Sequence, residues 1–284
     1  MCARSETIRR SPIAGSWYPG TERRLADMVD GYLQRVDQPL IEGDLVALIS
    51  PHAGYTYSGQ TAAYAYHQLD GRAYDTVILL GPSHRAWVGD YAVSAEDAYQ
   101  TPLGLVPVDH DLSADLADLV PLHEVQGDME HSLEIQLPFL QRQLDTFSLV
   151  PILMSADAPA AAERLAAALA DVVRARAETG RRTLLVASSD LHHIENYEQV
   201  VQRDRTVVEA VDAYDLAALK MALIAPGSTV CGRMPILAVM HAGRALGADH
   251  ARVLYHTNSA DVTGQRVPGQ YTVGYMAAAI FQAH

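Results

Sequence analysis

Short runs of apolar residues alternate along the chain with longer segments in which apolar residues recur at helical spacing. Four runs rich in Val, Ile and Leu are too short for free-standing helices and predict buried strands at 44–50, 76–81, 149–154 and 183–188. The longer segments predict helices at 21–36, 58–69, 131–144, 159–178 and 197–223. This alternation predicts an α/β fold whose central, mostly parallel sheet is flanked by helices on both faces.

Two regions depart from the alternation and predict antiparallel additions to that sheet. Within 90–109, the short β-like strings YAVSA and GLVPV are joined through Pro102 and Gly104, which predicts an antiparallel excursion at the sheet edge. Within 251–280, two more β-like runs are separated by a loop that contains Gly and Pro. We therefore expect a mixed sheet in one domain that spans residues 1–284, with residues 1–12 flexible.

Charge and cysteine content narrow the range of partners and compartments. The chain has 284 residues, 21 of them Lys or Arg and 34 of them Asp or Glu, which gives a formal net charge of −13. Such an excess of negative charge disfavours nucleic acid and anionic membranes. The first residues lack the apolar core of a secretory signal, and no apolar run is long enough to span a bilayer. We expect a cytoplasmic protein, and the sequence leaves its oligomeric state open.

Histidines follow three of the predicted strands and are the most informative feature of the sequence. Pro51 and His52 follow the first strand, His84 follows the second, and His193 comes shortly after the fourth. Open α/β sheets bind their ligands beyond the carboxyl ends of the strands, so these side chains are expected to converge. Cys231 precedes an apolar helical run, and a helix N-terminus is expected to lower the pKa of its thiol.

His52, His84 and Cys231 have two interpretations. Two histidines in similar Pro-containing contexts at successive strand ends suit metal ligation, because a metal needs ligands held at fixed separation by rigid elements. Each histidine could instead be partly buried and donate to a nearby carbonyl. Cys231 could likewise be a ligand or a small buried apolar residue.

A second set of residues suggests proton transfer and support of the site. Asp190 could orient His193 as a general acid or base, although Asp190 would serve equally well as a helix cap. Glu130, His131 and Glu134 fall on neighbouring faces at a predicted helix start and could support the site. A solvated first turn rich in acidic residues is the alternative for them.

Six strings occur in a fixed order along nearly the whole chain. They are AGSWYPG at 14–20, SPHAGYTYSG at 50–59, LGPSH at 80–84, EHSLEIQLPFL at 130–140, SSDLHH at 188–193 and CGRMPI at 231–236. Each string is weak alone, but their common order is specific. Together they resemble the Memo family, which includes protein B of the AmmeMemoRadiSam system.

The resemblance implies a fold similar to class III extradiol ring-cleaving dioxygenases, in which two histidines and a carboxylate hold Fe(II). By motif, His52 and His84 take the two histidine positions, and Cys231 replaces the carboxylate. His193 matches the acid/base histidine of those enzymes, with Asp190 beside it. The implied cofactor is one metal ion, Fe(II) first, with copper or zinc as alternatives.

The resemblance also implies an aromatic pocket around the metal. Trp17, Tyr55 and Tyr57 are expected to form its walls, and Glu130 and His131 are expected to lie beside it. The expected ligand of the pocket is a small molecule or a peptide. Met234 stands where some relatives carry a more polar residue, which changes the expected polarity of the pocket.

Three functions compete at this point. The first is oxygen or redox chemistry by a mononuclear non-haem iron on a small organic substrate, although a thiolate ligand can itself be oxidised. The second is hydrolysis at zinc, because two histidines and a cysteine with an open position also suit catalytic zinc. The third is a metal- or peptide-binding scaffold without turnover, because a fold does not fix a function.

Overall fold

The computed structural model describes residues 7–284, and residues 1–6 lie outside that description. The strands, in chain order, are β1 (Ile8–Arg9), β2 (Asp44–Ser50), β3 (Thr76–Pro82), β4 (Tyr91–Ser94), β5 (Ala98–Thr101), β6 (Gly104–Pro107), β7 (Leu122–Val125), β8 (Ser148–Met154), β9 (Thr183–Ser188), β10 (His193–Ile194), β11 (His250–Asn258) and β12 (Thr272–Gln282). The helices are α1 (Glu22–Leu33), α2 (Tyr55–His67), α3 (His110–Ala117), α4 (Leu137–Gln143), α5 (Pro159–Glu178), α6 (Tyr197–Asp212), α7 (Leu216–Leu223), α8 (Arg233–Ala245) and α9 (Ser259–Thr263). A 3₁₀ turn, Glu134–Gln136, precedes α4.

The main sheet is mixed, with parallel strands at its centre. Within residues 7–284 it has nine strands in the order β10-β12-β2-β9-β3-β8-β4-β7, and β11 pairs with β12. The four central strands, β2, β9, β3 and β8, are parallel. On either side of them, β12 runs antiparallel to β2 and β4 runs antiparallel to β8. The predicted α/β fold and its mixed sheet are confirmed, and the four predicted strands are these central four.

Helices cover both faces of this sheet, which explains why its central strands are almost continuously apolar. Ile78 and Leu80 of β3 point into one core with α5 and α8. Val77 and Leu79, the alternate positions of the same strand, point into the opposite core with α1, α2 and α4. Because successive side chains of a strand point to opposite faces, one run of apolar residues contributes to both cores.

The antiparallel excursion differs from its prediction in its partners. Tyr91–Ser94, in the string YAVSA, joins the main sheet between β8 and β7. Gly104–Pro107 pairs instead with Ala98–Thr101, in a separate three-stranded sheet completed by β1. Of the segment 1–12 that we expected to be flexible, residues 1–6 lie outside the described residues. Residues 7–12 contain β1, in which Arg9 is 2% exposed.

The predicted helix at 197–223 is two helices, and the prediction of one was wrong. Tyr214 has a φ of 50°, outside the helical region, and ends the first helix. The carboxylate of Asp215 then accepts hydrogen bonds from the N–H groups of Ala217 and Ala218 and so caps the second helix. No helix within residues 7–284 combines the length and the apolar character needed to cross a membrane.

Candidate metal centre

The carboxyl ends of β2 and β3 and the turn before α8 bring together three side chains that could bind a metal. His52 follows β2 by two residues, His84 follows β3 by two, and Cys231 lies in the turn before α8. One ligand atom from each lies within 4.8 Å of the others. His52 Nε2 is 3.0 Å from Cys231 Sγ. The predicted convergence of these residues is therefore present in the structure.

The hydrogen bonds of Ser188 leave His52 Nε2 free to act as a ligand. Ser188 Oγ donates its proton to the carbonyl of Ser132 at 2.5 Å, so it can only accept from other groups. His52 Nδ1 lies 3.0 Å from this oxygen and must carry the proton of that hydrogen bond. Burial, and then the nearby His84 and His131, lower the pKa of His52 well below its ordinary value. The ring is therefore neutral, with its Nε2 lone pair directed towards Cys231.

Glu130 orients His84 in the same manner. His84 Nδ1 lies 2.9 Å from Glu130 Oε1, and the backbone N–H of His84 donates to Oε2 at 2.6 Å. A carboxylate can only accept, so His84 Nδ1 carries the proton and Nε2 is free. Burial alone would raise the pKa of Glu130, but hydrogen bonds from His131 and His84 hold it far below its ordinary value. A carboxylate that orients a metal-binding histidine is a common feature of metal sites.

A second group of metal-binding side chains, His84, Glu130 and His131, is less suited to a metal. Glu130 Oε1 already accepts hydrogen bonds from the backbone N–H groups of His131 and Ser132 as well as from the His84 ring. The His131 ring is stacked on His84, with centroids 4.7 Å apart, and it contacts Trp17 at 4.2 Å. His131 and Glu130 are therefore positioned to support the His84 ring, and His52, His84 and Cys231 form the better candidate for a metal site.

The backbone beside Cys231 approaches β9 so closely that only glycine fits at position 232. A Cβ atom on Gly232 would lie 2.5 Å from the carbonyl oxygen of Ser188, and the Gly232 N–H donates to Ser189 Oγ. Burial, and then the carboxylate of Asp190, raise the pKa of the Cys231 thiol. The expected lowering of the thiol pKa by a helix N-terminus was wrong, because α8 begins two residues later and the partly buried sulfur has lost part of its hydration. A bound metal would displace the thiol proton.

Asp190 and His193 lie on the open side of the cluster. Asp190 is 3% exposed and accepts hydrogen bonds from the backbone N–H groups of His52 and Ala53. Burial raises the pKa of Asp190 to about 7 despite those bonds. His193 Nδ1 is 3.0 Å from the hydroxyl of Tyr271, and burial and then His84 lower the pKa of His193 to about 4. His193 Nε2 is buried and has no hydrogen-bond partner among residues 7–284.

A cavity of about 780 Å³ opens onto the cluster. His52, His84, His131, Asp190 and His193 line its inner part, and Trp17, Tyr57, Tyr271 and Tyr275 are its aromatic walls. Of the three aromatic residues expected there, Trp17 and Tyr57 line the cavity. Tyr55 lies in the protein core instead, 2% exposed, and its hydroxyl donates to the carbonyl of Ile135 at 2.8 Å. Glu130 lies behind the rings of His84 and His131 and does not line the cavity.

A buried charged layer around Arg9 lies next to Glu130 and was not predicted from the sequence. The Arg9 guanidinium bonds to Asp128 at 2.8 Å and to Glu134 at 2.6 Å, and it also donates to the carbonyl of Glu130. The hydroxyl of Tyr18 donates to Glu134 at 2.6 Å. Glu134, one of the residues considered for support, is thus fully buried rather than part of a solvated first turn. The signal for Arg9 was weak, because it lies in a charged N-terminal segment without hydrophobic pattern.

Comparisons with known proteins match nearly the whole chain to one family. Residues 9–279 match the family described as "Memo-like protein". A "MEMO1 family protein" of Aeropyrum pernix is 36% identical over 289 residues, covering 96% of this chain and 99% of that protein. A "MEMO1 family protein" of Methanosarcina mazei is 33% identical over 272 residues, covering 95% of this chain and 98% of its own length. The chain belongs to the Memo family.

Proposed function

We propose that the protein binds one metal ion through His52, His84 and Cys231 and uses it for oxygen or redox chemistry on a small organic substrate. The observation that carries the proposal is the convergence of three ligand atoms within 4.8 Å. The hydrogen bonds of both imidazoles direct their Nε2 atoms to this point, so the donor set fits a metal ion without rearrangement of the rings. The cavity in front of the cluster has room for a small organic molecule.

Fe(II) is the metal that we propose. Two imidazoles and one further anionic ligand that leave open positions are typical of non-haem iron sites, and a thiolate here takes the place of a carboxylate. The resemblance of the sequence motifs to relatives of class III extradiol dioxygenases also supports iron. When bound, such a metal would supply Lewis acidity and an electron-transfer centre beside the substrate.

The chain's own residues would bind the substrate and move its proton. Trp17 and Tyr57 offer aromatic faces on which a planar substrate can pack. His193 Nε2 is buried beside the cavity without a partner among residues 7–284. With Nδ1–H donating to the Tyr271 hydroxyl, Nε2 would carry a lone pair that can accept a proton from a substrate hydroxyl. The hydroxyl of Tyr271 holds the other ring nitrogen of His193 and thereby fixes the direction of Nε2.

Metal analysis of protein purified without oxygen tests the proposal. We expect close to one iron per chain, and we expect His52→Ala to lose it. His67→Ala, at the end of α2 and outside the cluster, is the matched control and should retain full metal content. Unchanged metal content in His52→Ala would contradict the assigned site.

Oxygen consumption with catechols and other reductants separates the remaining alternatives. Iron-dependent consumption that is lost in His193→Gln, with metal content retained, would support redox chemistry with proton transfer at His193. Zinc at full occupancy with activity that survives the removal of oxygen would support a hydrolase instead. A metal-loaded protein without turnover on any substrate would favour the binding scaffold.

A further inference from the structure

A second cavity, of about 590 Å³, reaches the same cluster from another side. Cys231 lines this smaller cavity and is absent from the lining of the larger one, whereas His52 lines only the larger cavity. His84 and Arg85 are the residues that both cavities share. Cys231 therefore faces the smaller cavity and His52 the larger one, and His84 lies where the two adjoin.

The smaller cavity is cationic, although the chain as a whole has a net charge of −13. Arg85 is exposed and makes no ion pair among residues 7–284. Arg233, at the start of α8, pairs with Asp157 at 2.5 Å, and the Asp157 side chain is 68% exposed. Two guanidinium groups and one largely solvated carboxylate thus line the cavity. Such a local excess of positive charge attracts anions from solution.

We propose that the smaller cavity is a separate entrance to the thiol side of the cluster and admits a small molecule that carries a carboxylate or a phosphate. Arg85 and Arg233 would bind the anionic group, since guanidinium groups match both anions geometrically. The larger cavity then remains available to the organic substrate. The role of this second molecule as a reactant rests on the proposed function, but its entrance and its charge preference do not.

Alkylation of Cys231 in metal-free protein tests the charge preference. Iodoacetate and iodoacetamide both alkylate the thiolate, forming a carbon–sulfur bond and releasing iodide. Only iodoacetate is an anion. The Cys2→Ser variant leaves Cys231 as the one thiol. We expect the ratio of the iodoacetate rate to the iodoacetamide rate to be roughly threefold to tenfold higher in the folded protein than in urea. The ratio cancels any effect of thiol ionisation.

Arginine variants assign that preference to the cavity. We expect Arg85→Gln and Arg233→Gln each to lower the rate ratio by roughly threefold, because each removes one positive charge near the sulfur. Arg164→Gln is the matched control, because Arg164 pairs with Asp90 outside the cavity lining and should leave the ratio unchanged. A ratio that is the same in folded and unfolded protein, or unaffected by both cavity variants, would overturn the anion preference.

Two tryptophan variants test the entrance itself. Ala86 lines the smaller cavity and Thr263 lines the larger one, and both residues are exposed, so a larger side chain can be accommodated in the fold. We expect Ala86→Trp to slow alkylation of Cys231 by iodoacetamide at least tenfold and Thr263→Trp to leave it unchanged. The reverse result would place the access route in the larger cavity and overturn the proposal.

Protection experiments distinguish the two anions. Propionate and inorganic phosphate are added separately at increasing concentration while alkylation by iodoacetamide is followed by mass spectrometry. Protection by one of them identifies the anionic group, and protection by neither would overturn the binding of a small anion. None of these measurements uses a metal. Failure of metal loading would therefore count against the proposed function and leave this result intact.

Discussion

Glu130 and Asp190 are two buried carboxylates beside the candidate ligands, and their surroundings give them opposite behaviour. Glu130 is 2% exposed and Asp190 is 3% exposed, so burial alone does not separate them. Glu130 accepts hydrogen bonds from the ring and the backbone of His84 and from two further backbone N–H groups. Within residues 7–284, the Asp190 carboxylate accepts from two backbone N–H groups, those of His52 and Ala53. The pKa of Glu130 is accordingly far below its ordinary value, while that of Asp190 is raised to about 7.

Both carboxylates are buried, so their hydrogen-bond donors and neighbouring charges separate their pKa values. Loss of hydration disfavours the anion at both positions, and only Glu130 receives enough hydrogen bonds to offset that loss. Glu130 is therefore a fixed anion that orients His84. Asp190, beside the backbone of His52, can be neutral near pH 7 and can hold a proton at the edge of the cavity.

The largest difference between the two carboxylates is expected in the free energy of unfolding that is lost when each side chain is removed. We expect Glu130→Ala to lower the free energy of unfolding of the metal-free protein by about 3–5 kcal/mol, because buried donors of His84, His131 and Ser132 lose their partner. Asp190→Ala removes the partner of two N–H groups but also a costly buried carboxylate, so we expect about 1–2 kcal/mol. Urea unfolding at pH 7 measures both. Equal losses would contradict the distinction between the two sites.

The second-largest difference between the two carboxylates is expected in the pH dependence of the free energy of unfolding. Asp190 has an ordinary pKa of 3.8 and a folded pKa of about 7, so its folded form retains a proton that the unfolded chain releases. Its contribution to stability is complete below pH 3.8 and is lost as pH rises to 7. The Asp190→Asn variant has no ionisable side chain at this position, so it does not lose stability in this way as pH rises. We expect its stability relative to the parent protein to increase by up to about 4 kcal/mol between pH 4 and pH 8 in metal-free protein.

Urea unfolding at several pH values measures this difference. Asn can still accept the two N–H groups through its amide oxygen, which makes it the appropriate replacement. A stability difference that does not change with pH would show that Asp190 is ionised throughout, as Glu130 is.

Metal affinity should show the smallest of the three differences. We expect Glu130→Gln to weaken metal binding roughly 10- to 100-fold, because the neutral amide orients the His84 ring less firmly and holds less charge near the metal. The Asp190 carboxylate accepts from the backbone N–H groups of His52 and Ala53 and does not hold a ligand ring, so we expect Asp190→Asn to weaken binding by less than about threefold. Competition with a chelator measures both affinities. An equal effect of the two variants would show that Glu130 has no special role in orienting His84.

Much of the secondary structure was predictable because the central strands are covered on both faces. The apolar runs at 44–50 and 183–188 coincide with β2 and β9, because a strand buried on both faces is apolar at nearly every position. The break at Tyr214 was not predictable from periodicity, because apolar spacing continues through the turn into α7. The partner of β4 was equally hidden, because strand pairing joins residues distant in sequence.

Part of the site was predictable for a similar reason. The polar residues that directly follow buried strands must lie at one edge of the sheet, which brought His52 and His84 together. Tyr55 was placed wrongly because its position at the start of α2 does not reveal which way the ring points. Arg9 was missed because its partners, Asp128 and Glu134, lie more than 100 residues away.

The sequence by itself determined the family, the α/β fold and the three residue types that could bind a metal, because these depend on local pattern and on motifs in order. Only the tertiary structure decided which ring nitrogens are free, which carboxylate is charged and which cavity reaches the thiol. Those properties depend on hydrogen bonds and loss of hydration between distant segments. The side chains of His84 and Glu130, 46 residues apart, are 2.9 Å from each other only because the sheet brings their loops together.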